Sequence, residues 1–250
     1  MGSYARRGYV SNHHNPMMPP AVKWLLIINT ALFVAYFFSI PLGIDSWFRP
    51  FMLHPRQVLE RLAFWQPVTY LFLHDPRGFG HILMNMLALW WFGKDLEAVW
   101  GKRQFLQYYF FCGVGAGLFA VLMSLLFGTL DTPTLGASGA IYGTLLAFGL
   151  LFPDAQVLLI LFPIPAKYFV MIVGAIAFMS TFGSTGGNVS HVAHLGGMLL
   201  GFVYLKKGWG KWDFLATAQL RYRDWKLARA KRNFQVYMRK HDGGPGPTIH

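Results

Sequence analysis

Residues 104–127 read QFLQYYFFCGVGAGLFAVLMSLLF, a run without a single Asp, Glu, Lys or Arg. A helix that crosses a bilayer needs roughly 20 mostly apolar residues, and this stretch supplies them. The scarcity of charge extends well beyond it. From Gln104 to Leu205 the only Asp, Glu, Lys or Arg residues are Asp131, Asp154 and Lys167. So few charges are too few for the polar exterior of a water-soluble globule. Over the whole 250-residue chain 13% of residues are charged and 54% are apolar, against roughly 25% charged in a typical soluble domain. That composition excludes a disordered chain or a coiled coil, and one cysteine, Cys112, excludes a disulfide scaffold. The fold class is an all-α integral membrane protein.

Six apolar stretches are long enough to be read as spans: about 22–40, 79–97, 104–127, 136–152, 167–183 and 190–206. The fourth is short and the second carries His81 and Asn85, so both are expected to face protein or a water-filled cavity. Segment 157–166, with Pro163 and Pro165, reads as a re-entrant or interfacial connector and not as a seventh span. The chain is thereby divided into a disordered N-terminal tail (1–21), a six-helix domain (22–206) and a basic tail (207–250) with an interfacial helix. Residues 1–20 hold Arg6 and Arg7 but no apolar core, so they do not read as a signal peptide. Placing both termini in the cytoplasm puts 18 of the 22 Lys and Arg residues inside and 4 outside, all in the long loop 41–80. The positive-inside rule therefore fixes the orientation. It also accounts for the net charge of +12, since 11 of the basic residues lie between Lys206 and Lys240. A basic tail after a span points to anionic lipid, and no aromatic-basic module supports nucleic acid.

Polar side chains are costly inside a bilayer, so each one there is a functional candidate. His81 and Asn85 lie on the second span, Ser138 opens the fourth and His194 opens the sixth. Small residues recur every four positions after the last two: Gly139, Gly143 and Ala147 on one helix, and Ala193, Gly197 and Gly201 on the other. Such stripes let two helix backbones approach closely. Both helices start at the outer face, so that contact brings Ser138 and His194 to a similar depth. A serine whose proton is taken by a histidine is an activated nucleophile. No carboxylate lies at this depth (Asp131 is seven residues ahead, in an outer loop), which leaves a dyad without an acid. Tyr142 shares a helical face with Ser138 and is placed to stack on the imidazole. His81 and Asn85, also four apart, are placed to donate to an oxyanion together with the Ser138 N–H at a helix start.

Each residue also has a plainer reading. A serine between glycines and alanines is ordinarily a packing residue, and a membrane histidine is ordinarily structural or part of a proton path. His191 and His194 form an HxxH pair, but no HExxH occurs, so a metalloprotease would lack its base. GxGD is absent too. Gly113, Gly115 and Gly117 imitate a phosphate loop, yet inside an apolar helix they read as packing positions. A transporter would show internal repeats or charged intramembrane residues, and neither is present.

Taken together, His81-Ile82-Leu83-Met84-Asn85, Gly136-Ala137-Ser138-Gly139 and Ala193-His194-Leu195-Gly196-Gly197 with Gly201 resemble the rhomboid family of intramembrane serine proteases. Trp65-Gln66-Pro67-Val68-Thr69, followed by Phe72 and His74, is a further match. The resemblance covers roughly residues 22–206. It implies Ser138 as nucleophile, His194 as base, and His81 and Asn85 as oxyanion donors, with Tyr142, Gly136 and Gly139 in support. The alanine-histidine-xx-glycine pattern selects His194 over His191. The implied activity is cleavage of transmembrane substrates near the outer face, without cofactor or metal. Substrates must unwind to expose a carbonyl, and the family implies a small residue before the scissile bond and a lateral gate at the fifth span. The alternative is a catalytically silent rhomboid-like protein that binds membrane helices, which would call for loss of Ser138 or His194. The short N-terminal tail points to a bacterial plasma membrane.

Overall fold

The computed structural model describes residues 18–159, 162–182 and 189–207, and beyond these residues 222, 225–227, 229–232 and 234. The expectations for the N-terminal tail (1–17), for the Gly-rich loop 183–188 and for most of the C-terminal tail lie outside the described residues.

Helix α1 (Pro20–Ser39) is followed by the long loop that sequence patterning left blank. That loop folds into a 3-10 turn (Asp45–Phe51), α2 (Pro55–Glu60), and α3 (Gln66–Thr69) running into a second 3-10 turn (Tyr70–Phe72). Pro20, Pro55 and Pro67 each stand in the first turn of a helix, where the missing N–H costs nothing and the fixed φ favours the start. Those prolines were the available signal for α2 and α3. The long helices follow: α4 (Phe79–Trp100), α5 (Lys102–Phe127), α6 (Ser138–Leu151), α7 (Ala166–Phe182) and α8 (Val189–Lys207).

Two details differ from the sequence reading. The connector after α6 is an antiparallel hairpin, β1 (Gln156–Leu159) with β2 (Phe162–Pro165), in register Val157↔Ile164. It is the one strand pair among the described residues, beside the isolated bridge Leu53↔Thr134. Pro163 and Pro165 are tolerated because in a two-stranded ribbon one side of each strand needs no partner. The stretch expected to open a helix at Gly136 instead starts it at Ser138, because Gly136 has φ +127°, outside the helical region.

Helices α5, α6 and α8 pack against one another, with α4 on the flank of α6, α1 against α4, and α7 against α6 and α8. Glycine makes this possible. A Cβ placed on Gly197 would run into the backbone carbonyl of Gly139, and one on Gly143 would come within 2.6 Å of Cys112. Gly113 and Gly117 likewise receive Leu71 and Tyr70, and Gly115 receives Leu200, which makes all three packing positions. Two tyrosine hydroxyls find acceptors in the same core: Tyr70 donates to Gly113 O and Tyr108 to Gly143 O, each at 2.7 Å. Gly197→Ala is expected to destabilise the bundle by about 1–3 kcal/mol, read as a lowered melting temperature in detergent. The upper end applies because the obstructing atoms are backbone. A melting temperature matching wild type would mean that the α6–α8 contact is looser than drawn.

Candidate active site

Ser138 is the first residue of α6, so its N–H lacks an intrahelical acceptor. The loop that delivers it is fastened to the first loop at successive points. Leu53 and Thr134 exchange backbone hydrogen bonds, at 3.0 and 2.9 Å, and the Gly136 N–H donates to Tyr70 O at 2.9 Å. Further out, Arg56 grips the Asp131 carboxylate with two N–H donors, at 2.6 and 2.8 Å. The carboxylate is thereby held below its usual range.

His194 lies on the second turn of α8. Its Nε2 is 2.7 Å from Ser138 Oγ. The imidazole is stacked on the Tyr142 ring, centroids 4.1 Å apart and planes 5° from parallel. His194 Nδ1 is buried without a hydrogen-bond partner among the described residues. Among the described residues, what holds the ring is its stacking on Tyr142 and its hydrogen bond to Ser138. A serine hydroxyl bonded to an imidazole nitrogen is the arrangement that nucleophilic catalysis requires.

His81 comes to the same place from α4. A Cβ on Gly136 would sit 3.3 Å from His81 Nε2 and 3.8 Å from Ser138 Oγ. Because Gly136 has no side chain, that residue puts no atom between the His81 ring and Ser138 Oγ. Asn85 is buried one turn along α4, and its amide donates to His81 O at 2.9 Å. That bond fixes the amide against its own helix, and its –NH₂ has a second hydrogen. Gly197 lets the backbones of α6 and α8 meet beneath the pair, and Gly139 admits Ala116 of α5. His191 is set apart: its ring is 5.8 Å from His194 and nearly perpendicular to it.

One residue carries more than the sequence reading gave it. His74, noted there only as part of a motif, is fully buried with its ring 5.4 Å from that of His81. Burial, with His81 beside it, pushes His74 down to about 3. The consequence for pH follows from linkage. An unfolded His74 titrates near 6.5, so between about 6.5 and 3 the unfolded state binds the extra proton. Stability from this group is complete above 6.5 and is lost as pH falls toward 3. His74→Phe is expected to flatten the fall in melting temperature between neutral and acid pH. An unchanged slope would remove His74 as its source. Among the described residues no group of three or more His, Cys, Asp or Glu is placed to hold a metal ion.

Comparison with known proteins agrees with this geometry at the level of family. Residues 61–210 match the rhomboid domain. The chain is 35% identical over 158 residues to yeast (Saccharomyces cerevisiae) mitochondrial rhomboid protein 1, covering 62% of this chain and 44% of the relative. It is 29% identical over 195 residues to the rhomboid YdcA of Bacillus subtilis, covering 75% of this chain and 90% of that one. To the mouse (Mus musculus) mitochondrial presenilin-associated rhomboid-like protein it is 32% identical over 130 residues, 51% of this chain and 34% of the relative. The chain thus spans less than half of the yeast and mouse proteins and most of the bacterial one. On the extent of the matched domain, this all-α membrane protein belongs to the rhomboid family.

Proposed function

We propose that the chain is an intramembrane serine endopeptidase that cleaves transmembrane proteins near the outer membrane face with a Ser138–His194 dyad. The 2.7 Å approach of His194 Nε2 to Ser138 Oγ carries this reading. Ser138 Oγ attacks the scissile carbonyl while its proton passes to Nε2. The carbonyl oxygen becomes an oxyanion on the Gly136 side of Ser138, where the His81 ring, the Asn85 amide and the Ser138 N–H are the candidate donors. The imidazolium then protonates the leaving amine, and water brought in by the same base releases the acyl group. Intact Ser138 and His194 favour this over a silent helix-binding relative.

The topology that serves this chemistry has six spans, α1 and α4 to α8, with both termini in the cytoplasm. Helices α1 and α5 are individually long and apolar enough to cross a bilayer, and α6 and α7 are shorter apolar helices. Residues 22–206 form the catalytic domain and 207–250 a basic tail. The bacterial plasma membrane is the proposed location, consistent with the Bacillus relative. Helix α7 is the proposed lateral gate; a crosslink between α4 and α7 that left cleavage unchanged would count against it.

The deciding experiment combines cleavage of a reporter transmembrane helix by the purified protein in lipid with fluorophosphonate labelling. Label on Ser138 together with a product is expected. Label elsewhere, or none beside a product, would sink the dyad. His191→Ala is expected to keep activity within about threefold, since the ring does not share the Ser138 hydrogen bond; loss comparable to that of His194→Ala would shift the base to His191.

A further inference from the structure

The described residues between 222 and 234 are all helical, and they carry two opposed patterns. Tyr222, Trp225 and Arg229 follow at intervals of three and four, and so do Leu227, Ala230 and Phe234. Each set therefore lies on one face of a helix. The five-residue offset between the sets puts the two faces on opposite sides.

The first face is docked. The Tyr222 ring meets Phe152, the residue just past α6, edge to face at 4.7 Å. It is also stacked with Trp225 at 5.9 Å. The Arg229 guanidinium lies 5.2 Å over the Trp225 ring. Phe152 continues inward through Phe148 and Phe92 to Phe169 on α7, so the docked face joins the aromatic core of the bundle.

The second face is bare. Leu227 is 57% and Phe234 63% exposed, and Lys226 and Lys231, both exposed, border them on either side. We propose that this face rests on anionic phospholipid, with Leu227 and Phe234 entering the headgroup–acyl boundary and the two lysines reaching phosphates. Three observations select lipid as the occupant. Helix α8 ends at Lys206 and Lys207, so the tail leaves the bundle where a membrane helix ends. Half of the 22 Lys and Arg residues of the chain lie between 206 and 240. A paired apolar and basic face is the composition that binds an anionic interface. The inference rests on the membrane placement of α8 and not on proteolysis.

The test uses the full chain with Ala230→Cys, labelled with an environment-sensitive dye; Cys112 is buried, and the chain without the new cysteine controls for stray label. The labelled protein is placed in nanodiscs of phosphatidylcholine alone, or with one part in about three of phosphatidylglycerol. An aqueous quencher is expected to reach the dye roughly tenfold less well in the anionic discs, with access restored by high salt or by Lys226→Glu with Lys231→Glu. Both lysines are exposed, so the charge-reversed protein is expected to melt as wild type does. Equal quenching in the two discs, or protection indifferent to charge reversal, would overturn the proposal. Those results would assign the bare face to a protein partner or to the bundle itself. The readout does not depend on cleavage, so it stands whether or not Ser138 proves to be a nucleophile.

Discussion

Ser138→Ala is expected to reduce cleavage of a reporter helix by about 10⁴-fold or more, to the background of the assay. The substitution removes one hydroxyl that meets His194 at 2.7 Å, and without it no covalent intermediate forms. His194→Ala is expected to fall as far, because the hydroxyl then loses its base. The double variant should be no worse than either single one, since nucleophile and base act as a unit. The two variants separate in stability. Ser138→Ala forfeits a single hydrogen bond, about 1 kcal/mol. His194→Ala also empties the space against Tyr142, and its melting temperature should drop further. Residual cleavage by Ser138→Ala above background would show that some other group performs the attack.

The second large effect is on assembly. Glu97 is buried on α4, and its two carboxylate oxygens accept the backbone N–H groups of Ala21 and Val22, each at 2.8 Å. These are first-turn amides of α1, whose N-cap Pro19 has no side-chain cap to offer. A negative charge at a helix start also opposes the positive end of the helix dipole. Glu97→Ala leaves two buried donors without acceptors and is expected to cost about 3 kcal/mol or more. Glu97→Gln keeps one acceptor and should lie between that variant and wild type. Helix α1 is expected to remain inserted but to detach from α4, because insertion and packing are separate steps in a membrane. Thermal unfolding in detergent and hydrogen exchange at Ala21 and Val22 would both report the change. A melting temperature for Glu97→Ala equal to wild type would dismiss the clasp.

The long helices were legible in the chain because a bilayer-sized run of apolar residues is a local signal. Their ends fall within about three residues of the expected ones. Ser138, His194 and Tyr142 could be placed together because glycine and alanine stripes on two helices specify a close crossing, and a close crossing fixes depth. What stayed hidden depends on contacts between distant segments. The role of Gly136 rests on its φ of +127° and on the nearness of His81, neither of which its own neighbours encode. Glu97 reads as a charge at the end of a span until its partners, 75 and 76 residues away, are known. His74 is a loop histidine until the fold buries it. The β hairpin escaped because two prolines argue against a strand except at an unpaired edge.

The close contact between α6 and α8 also orders events in time. Ser138 and His194 are 56 residues apart in the chain, and among the described elements α8 is the last long helix. At about 5–20 residues per second of synthesis, the serine is made roughly 3–11 s before its histidine. Until then Ser138 Oγ has no His194 Nε2 to meet, and the part of the α6 backbone that receives Gly197 has no partner. A nascent chain that still lacks α8 therefore cannot form the Ser138–His194 hydrogen bond. The proposed dyad can assemble only once α8 has been made, so the order of translation sets when the Ser138–His194 pair forms.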